Sequence, residues 1–369
     1  MRVLMVSKAC VVGMYQRKLE ELARIPNMDL HVVVPPFWRD GRHATPLERT
    51  YPAGYELHVQ TMALNGNFHL HFYPKLSAVF QRLRPDILHM DEEPYNLATF
   101  HAMRLARRHG IESLFFTWQN LLRRYPPPFS AFERYSFRHA SFALAGNQEA
   151  AQVLRAKGYT GPVEVVPQFG VDPELYHNDR HAPCAKTGFV IGYAGRLVEE
   201  KGVQVLLHAV AELQGAWSLR LLGRGPYQRE LEALGARLGL GGRVAYCTGL
   251  SYGEMPRELN GLDALVLPSL TRRNWKEQFG RVLIEAMACE VPVVGSSSGE
   301  IPHLIGDAGL VVPEGDARAL RDTLSRLMQS PELCAELGRR GRTRILSYYT
   351  HGHIAAATQA IYRRMLGEH

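Results

Sequence analysis

Short runs of apolar residues alternate with longer segments of helical periodicity along most of the chain. This pattern is typical of β-strands and α-helices that alternate around parallel sheets. In the first 170 residues the apolar runs predict strands, and the segments between them predict helices. The predicted strands are Val3–Val6, Leu30–Val34, Ile87–Met90, Ser113–Thr117 and Phe142–Ala145, and the predicted helices are Gln16–Arg24, Leu76–Leu83, Leu97–Arg108 and Glu149–Ala156.

One of these segments shows the periodicity most clearly. Leu76, Val79, Phe80 and Leu83 follow the spacing i, i+3, i+4, i+7 and so form a single apolar face. A helix that lies on a membrane would show the same face, but packing against its own sheet is the favoured interpretation.

A change of composition near residues 165–172 predicts a linker between two domains. Pro, Gly and Asp are frequent there, and a polar stretch continues to Lys186. A second series of alternating elements follows, and a last helix, Ile354–Leu366, lies beyond its sixth strand. The predicted strands of this series are Phe189–Ala194, Leu219–Leu222, Val244–Thr248, Ala264–Pro268, Val291–Gly295 and Leu310–Val312, and its helices are Val203–Leu213, Tyr227–Leu238, Tyr252–Asn260, Val282–Cys289 and Ala317–Gln329.

Composition restricts the class of protein. With 369 residues, 46% hydrophobic and 21% charged, the chain has the length of two globular domains. No run of about 18 apolar residues occurs, and the first residues become polar too soon for a signal peptide. The five cysteines, Cys10, Cys184, Cys247, Cys289 and Cys334, lack metal-type spacing. We therefore expect a cytoplasmic protein without a disulfide or zinc framework.

The formal net charge of +7 is uneven. Residues 1–170 carry 20 Lys and Arg against 14 Asp and Glu, whereas residues 171–369 carry 23 against 22. A basic first half favours contact with an anionic surface or substrate, such as the surface of a membrane. No arginine-rich tract or aromatic single-strand platform accompanies this charge, so nucleic acid is not the expected partner.

The most informative stretch runs from Glu277 to Glu285, with the sequence EQFGRVLIE. Gly280 falls where a helix should begin, so backbone N–H groups and the positive end of the helix dipole could hold a phosphate there. Glu285 lies about 7–8 Å further along the helix, within reach of a ribose attached to that phosphate. Two glutamates beside an anion site point to a polyol ligand, although ordinary acidic residues on a surface helix remain an alternative.

A second constellation, GRLVEEKG at 195–202, follows the strand Phe189–Ala194. Arg196 and Lys201 lie five residues apart in a loop bounded by glycines and could converge on one pyrophosphate. A solvated basic loop is the alternative. Only seven lysines stand against 36 arginines in this chain, which makes a lysine at this position suggestive.

These two stretches, in this order, resemble the family 4 glycosyltransferases, which are retaining enzymes of the GT-B fold. The similarity extends to VPQFGVD at 166–172, LGRGP at 222–226, DALVLPS at 263–269 and GSSSGEIP at 295–302. It is specific over residues 160–330 and looser before them, where it depends on Gly13 and on the order of strands.

The resemblance implies an α/β protein of the GT-B fold, with two facing doubly wound Rossmann-like domains and a deep cleft between them. The N-terminal, acceptor-side domain would comprise residues 1–170 and about 350–369, because the last helix crosses back to it. Residues 171–349 would form the C-terminal domain that binds the nucleotide sugar. In such sheets ligands bind where the carboxyl ends of strands meet the amino ends of helices.

The resemblance also implies roles for individual residues. Arg196 and Lys201 would hold the donor pyrophosphate and stabilise the departing nucleotide, Glu277 would bind the sugar hydroxyls, and Glu285 would bind the ribose. Gly13 would approach the phosphates from the first domain. The amides that would cradle sugar and phosphate belong to Phe279, Gly280, Arg281 and Val282.

The chain departs from the family pattern after the strand Ile87–Met90. Many members have a second histidine there, whereas this chain has Asp91 in the run HMDEEP at 89–94. Asp91 is the first candidate for a catalytic carboxylate, with a buried turn carboxylate as the alternative reading. Gln168 also stands where asparagine is usual.

No Asp-x-Asp pair occurs in the chain, so we expect a metal-independent reaction with no cofactor and no metal ligands. Positive side chains and helix-end amides would supply the electrostatic stabilisation. The leaving phosphate itself could accept the proton of the acceptor, with no covalent nucleophile on the protein.

Trp118 and Asn120 follow the strand Ser113–Thr117 and are the candidate acceptor-binding residues, although a tryptophan at a strand end is often a core residue. The turn Pro126–Pro128, next to Arg123 and Arg124, could meet a lipid surface. We expect a hexosyltransferase that uses a UDP-sugar first and GDP-mannose second, with a glycan, a lipid-linked molecule or a small molecule as acceptor. A GT-B nucleotide-sugar epimerase and a non-catalytic nucleotide-sugar binding protein remain alternatives.

Overall fold

The computed structural model describes residues 1–41, 43–179 and 188–368. The chain divides into two compact units, one formed by Met1–Gly170 with His351–His369 and the other by Val171–Thr350. Part of the predicted linker, with Cys184 and Lys186, lies outside the described residues. The two units are described separately below.

The first unit is built on a parallel seven-stranded sheet. Its strands β1, β2 and β5 to β9, together with an antiparallel hairpin of β3 and β4, alternate with helices α1 to α5, and helix α13 completes the unit. The bounds are β1 (Arg2–Val6), α1 (Arg17–Ala23), β2 (Asp29–Val34), β3 (Phe37–Asp40), β4 (His43–Pro46), β5 (Glu56–Val59), α2 (Leu76–Leu83), β6 (Ile87–Met90), α3 (Leu97–Arg108), β7 (Glu112–Thr117), α4 (Phe129–His139), β8 (Phe142–Ala145), α5 (Gln148–Ala156), β9 (Val163–Val165) and α13 (His351–Met365).

The strand order in this sheet is β5-β2-β1-β6-β7-β8-β9. The order reverses between β1 and β6, which makes that edge the expected place for a ligand. The predicted apolar face of α2 is buried in the core on one side of the sheet. Helix α13 buries Ile354, Ile361 and Tyr362 in the core on the other side, so the last helix belongs to this unit.

The second unit contains a parallel six-stranded sheet in the order β12-β11-β10-β13-β14-β15. This is the Rossmann-type order, and it reverses between β10 and β13. The bounds are β10 (Phe189–Ala194), α6 (Val203–Ala211), β11 (Trp217–Leu222), α7 (Gln228–Arg237), β12 (Val244–Cys247), α8 (Met255–Asn260), β13 (Ala264–Leu267), α9 (Arg281–Ala288), β14 (Val293–Ser296), α10 (Ile301–Ile305), β15 (Leu310–Val312), α11 (Ala317–Gln329) and α12 (Pro331–Tyr348).

The predicted elements all occur, with ends displaced by up to three residues. The sequence patterns did not reveal the hairpin β3–β4, the strands β5 and β9, or the helices α4, α10 and α12. A short 3-10 helix, Gly13–Gln16, directly precedes α1. Two of the missed strands, β5 and β9, are short and lie at the two edges of the first sheet. An edge strand has a neighbouring strand on one side only, so an apolar pattern is less strictly required there.

Candidate functional site

In the second unit, the loops after β10, β13 and β14 meet at the carboxyl edge of the sheet, where the strand order reverses. Two glycines permit close backbone contact between these loops. A Cβ atom on Gly202 would lie 1.9 Å from the carbonyl oxygen of Pro268, and one on Gly299 would lie 2.0 Å from that of Glu277. Both glycines also have a positive φ angle, +70° at Gly202 and +53° at Gly299, which residues with a side chain rarely adopt. The loops can therefore approach one another only with glycine at these positions.

Lys201 and Glu277 form an ion pair at this edge. Lys201 Nζ donates a hydrogen bond to Glu277 Oε2 at 2.6 Å, and Ser269 Oγ donates to the same oxygen at 2.7 Å. The ammonium also lies 5.0 Å from the centre of the Trp275 ring. Glu277 is buried, whereas the Lys201 side chain is 21% exposed. The pair therefore places a cation that could bind phosphate beside a carboxylate that could bind hydroxyl groups.

Arg196 lies at the start of the same glycine-bounded loop as Lys201. Its carbonyl oxygen accepts a hydrogen bond from the Tyr193 hydroxyl at 2.8 Å, which fixes the backbone. The residue is exposed, and its guanidinium makes no ion pair with any residue that the structure describes. This arrangement leaves the guanidinium accessible to an anionic ligand.

Helix α9 begins immediately after Gly280, which has a φ of +85° and caps the helix. No side chain caps this end of the helix. The N–H groups of its first turn, including that of Val282, point out of the helix, and the dipole makes the end attractive to anions. Phe279, just before the cap, is buried and anchors the turn.

Glu285 lies one turn further along α9 and is 5% exposed. Its Oε1 lies 3.1 Å from Nε of Arg281 on the preceding turn. Burial raises the pKa of Glu285 above its ordinary value, although the charge of Arg281 opposes this rise. A buried carboxylate paired with Arg281 is suited to accept hydrogen bonds from neutral hydroxyl groups.

In the first unit, the loops after β1 and β6 lie side by side at the carboxyl edge. Asp91 Oδ2 accepts hydrogen bonds from Ser7 Oγ at 2.7 Å and from Lys18 Nζ at 3.0 Å, and its side chain is 1% exposed. Glu92 pairs with Lys8. Although burial alone would raise the pKa of Glu92, the Lys8 ammonium brings it down to about 2. Asp91, the predicted catalytic carboxylate, is thus part of a buried ion pair.

The candidate acceptor residues Trp118 and Asn120 belong to a turn held by buried polar groups. The backbone N–H of Trp118 donates to Glu93 Oε1 at 2.8 Å, and its indole Nε1 donates to Gln168 at 2.8 Å. Asn120 Nδ2 donates to Glu149 at 3.3 Å. Burial raises the pKa of Glu93 to about 7. Both predicted acceptor residues therefore also serve the internal structure of the unit.

Gly13 begins the 3-10 helix Gly13–Gln16. Its N–H donates to the carboxylate of Glu48 at 2.6 Å, and a Cβ atom at this position would collide with Thr50 Oγ1 at 1.9 Å. Gly13, which the resemblance implies would approach the donor phosphates, therefore has its own amide bonded to an anionic group in the structure.

The structure brings several predicted residues together within each unit. In the second unit Lys201 and Glu277 are in direct contact, and α9 begins next to them with Gly280, Arg281, Val282 and Glu285. Sequence reasoning missed Ser269, the partner of Glu277. Its position two residues after the end of β13, at the reversal of strand order, is the signal that could have revealed it.

Among the described residues, one group has the spacing of metal ligands, and it consists of His31, Glu56 and His58. It lies on β2 and β5, apart from the residues described above. No helix of the described chain is long and apolar enough to span a bilayer.

In a comparison with known proteins, two family models match consecutive parts of this chain. The model described as "Glycosyltransferase Family 4" matches residues 18–175, and the model described as "Glycosyl transferases group 1" matches residues 178–344. Together the two matches cover most of the chain.

Among curated proteins, the chain is 29% identical over 292 residues to a 2-deoxystreptamine glucosyltransferase from Streptomyces kanamyceticus, over 74% of this chain and 72% of that protein. It is 32% identical over 182 residues to a GDP-mannose-dependent phosphatidylinositol monomannoside mannosyltransferase from Mycolicibacterium smegmatis, over 47% of this chain and 48% of that protein. The chain thus spans only about half the length of the second relative.

Among solved structures, Anabaena HepE in complex with UDP matches with a TM-score of 0.76 and 19% identity, over 99% of this chain and 100% of that one. The same protein is also known in complex with UDP-glucose. At this level of identity the match establishes the fold, which is GT-B.

Proposed function

We propose that this chain, which belongs to the family 4 glycosyltransferases, transfers a hexose from a nucleotide-diphosphate sugar to a hydroxyl acceptor with retention of anomeric configuration. The observation that carries the proposal is the contact between Lys201 and Glu277 beside the start of α9. It combines a cation, helix-end amides and a carboxylate, which are the groups that a sugar diphosphate requires.

The donor binds to the second unit in this proposal. Lys201 and Arg196 contact the two phosphates, and the amides at the start of α9 contact phosphate and sugar. Glu285 accepts hydrogen bonds from the ribose, and Glu277 from the hexose. We rank UDP-sugars first because HepE is known with UDP and UDP-glucose, and GDP-mannose second because a curated relative is named for it.

The same cations assist the reaction. As the bond between the sugar and the diphosphate breaks, negative charge grows on the leaving phosphate, and Lys201 and Arg196 stabilise it. The leaving phosphate takes the proton of the acceptor hydroxyl, so no side chain has to act as nucleophile. Metal-independent transfer is part of the proposal. Asp91 would have to exchange its bonds with Lys18 and Ser7 before it could act as a base.

We propose further that the first unit binds the acceptor and contacts an anionic membrane. Residues 97–140 contain seven arginines and two glutamates, so this segment carries +5 of the net charge of +7. All seven arginines are exposed on α3, on α4 and in the loop between β7 and α4. In this loop Leu122, which is 65% exposed, precedes Arg123 and Arg124. Exposed leucine beside arginines suits the interface of an anionic bilayer.

Flotation with vesicles tests this contact. The double variant Arg123→Ala/Arg124→Ala should bind phosphatidylglycerol vesicles roughly 25-fold more weakly, at ~1 kcal/mol per basic residue. The variant Arg229→Ala/Arg237→Ala on α7 makes the same change of charge in the second unit and should bind like wild type. Equal loss in both variants would show that only net charge matters and would overturn the assigned surface.

The transferase activity is tested by incubating the protein with UDP-glucose or GDP-mannose and a panel of hydroxyl acceptors. We expect release of nucleoside diphosphate that depends on the acceptor, and NMR of the product should show the anomeric configuration of the donor. Conversion of the sugar without release of nucleotide would favour an epimerase. Donor binding without any turnover would favour a non-catalytic binding protein.

A further inference from the structure

We propose that His31, Glu56 and His58 form a binding site for a divalent transition-metal ion such as Zn²⁺. The site belongs to the edge of the first sheet and does not depend on the proposed transferase activity. Glu56 and His58 are separated by one residue on the edge strand β5, so both side chains point to the same face. His31 on β2 is paired in register with Glu56 and points to that face as well.

The ligand atoms of the three residues all lie within 4.8 Å of one another, and the two distances from His31 Nδ1 fit a tetrahedral ion. His31 Nδ1 lies 3.0 Å from His58 Nε2 and 3.3 Å from Glu56 Oε2. In a tetrahedral zinc site with bonds of ~2.0–2.2 Å, neighbouring ligand atoms lie roughly 3.3 Å apart. Imidazole nitrogen and carboxylate oxygen are also the ligand types that zinc accepts. A fourth position remains for a water molecule.

A further carboxylate orients one of the ligands. His31 Nε2 lies 3.1 Å from Oδ1 of Asp29, two residues earlier on β2. Asp29 is itself bonded to Arg2 Nε at 2.6 Å. A hydrogen bond from Nε2–H to Asp29 leaves the lone pair of His31 on Nδ1, the nitrogen that faces His58. Metal-binding histidines in proteins are commonly oriented by such a carboxylate.

Arg82 competes with the metal. Its Nη2 lies 2.9 Å from His58 Nδ1, and because arginine can only donate, that nitrogen accepts and the proton of His58 is on Nε2. In the metal-free protein Nε2–H donates to His31 Nδ1, so all four ring nitrogens have partners. Metal binding at Nε2 moves this proton to Nδ1, and Arg82 must then turn away. Arg82 is exposed in the last turn of α2, so it is free to do so.

An ion at this place would join β5 to β2. The three ligands lie within β2 and β5, whereas the residues of the proposed transfer reaction lie beyond the carboxyl ends of strands. We therefore expect the ion to stabilise the edge of the sheet and to leave donor binding unchanged.

Titration of the metal-stripped full-length protein with ZnCl₂, by calorimetry and by thermal unfolding, tests the site. We expect one bound ion per chain and a rise in Tm. His58→Ala should abolish this binding, and Glu56→Gln, at a side chain that is 61% exposed, should weaken it about tenfold without disturbing the core. Arg82→Gln should strengthen it about tenfold. His43→Ala, at an exposed histidine of the same unit, should bind like wild type.

Failure of both wild type and Arg82→Gln to bind zinc would overturn the site. So would unchanged binding in a His31→Ala/His58→Ala variant, because the ion would then lie elsewhere. Binding by Arg82→Gln alone would support the site and identify Arg82 as the group that blocks it. Binding of nucleotide to His58→Ala is a separate readout, so failure of the metal site does not affect the proposed transferase activity.

Discussion

Replacement of Glu93 by glutamine should stabilise the protein at high pH and change its stability little at pH 5. Glu93 accepts hydrogen bonds from the N–H of Trp118 at 2.8 Å and from Thr117 Oγ1 at 2.6 Å, and burial raises its pKa to about 7. Below that pH the carboxyl group carries a proton, which it can donate to Thr117 Oγ1. The glutamine side chain has the same shape and donates from Nε2, so it imitates the protonated acid.

The magnitude follows from the two pKa values. A glutamate in the unfolded chain titrates near 4.5, whereas folded Glu93 titrates near 7. Since the folded pKa is raised, the stability that this group contributes is fully present below pH 4.5 and is lost as the pH rises through 7. For a group fully shielded from water, the contribution to the free energy of unfolding would fall by about 2.5 kcal/mol between pH 5 and pH 8.5. Glu93 is only partly buried by its accessible surface, and the solvent around it reduces this fall to about 1–2 kcal/mol.

Urea unfolding of wild type and Glu93→Gln at pH 5 and pH 8.5 measures this difference. The variant should gain about 1–2 kcal/mol relative to wild type between the two pH values. Glu92→Gln is the matched control, because the pKa of Glu92 is lowered to about 2 and its charged form stabilises the fold. That variant should be less stable than wild type at both pH values. A Glu93→Gln effect that is the same at pH 5 and pH 8.5 would refute the reasoning.

Three further predictions concern the proposed transfer reaction. Lys201→Ala and Arg196→Ala should each lower kcat/KM about tenfold or more, since a charge-assisted contact contributes ~1.5–3 kcal/mol. Steady-state kinetics, with Lys276→Ala as the control variant, measure this effect. If neither Lys201→Ala nor Arg196→Ala changes the rate, both residues are excluded from the site. Glu277→Ala should weaken the use of the nucleotide sugar more than calorimetric binding of the free nucleoside diphosphate, and equal losses would contradict its assignment to the sugar. EDTA should leave the initial rate of transfer unchanged, whereas inhibition that Mg²⁺ reverses would show that the metal-independent account is wrong.

The elements around the candidate donor site of the second unit could be predicted from the sequence because several signals agree there. The run EQFGRVLIE contains a glycine at the start of a helix and apolar residues at helical spacing, and the structure places Gly280 as the cap of α9. Periodicity and end signals depend on neighbouring residues only, so they can be read without knowledge of the fold.

Helix α12 shows why other elements were missed. Gly338 and Gly341 within it indicate a break in helical structure when the sequence is read alone. In the fold, a Cβ atom on Gly338 would lie 2.3 Å from the carbonyl oxygen of Glu290, so glycine is required where the helix packs closely on its neighbours. This requirement comes from a residue distant in sequence and cannot be read from the local pattern.

In the candidate site, too, some features could be predicted from the sequence and others depend on contacts between residues distant in sequence. Lys201 and Glu277 are 76 residues apart in sequence; the family resemblance assigned both to the donor site, but it did not predict their direct contact. The pairing of Asp91 with Lys18 could not be predicted, because nothing in the sequence near Asp91 identifies a lysine 73 residues earlier as its partner. The place of a site residue in the fold could be predicted where the residue matches a family pattern, whereas its individual side-chain contacts could not.

The most direct test of the account is thermal unfolding of the protein with UDP, GDP, ADP and their common sugar derivatives. At a ligand concentration of 100 times Kd, binding to the folded state stabilises it by about 2.7 kcal/mol, which is visible as a rise of a few degrees in Tm. One nucleotide and its sugars should raise the Tm of wild type, with a smaller rise in Glu285→Ala. Absence of any rise across the whole panel would contradict the assignment of Lys201, Arg196 and Glu285 to a nucleotide-sugar site.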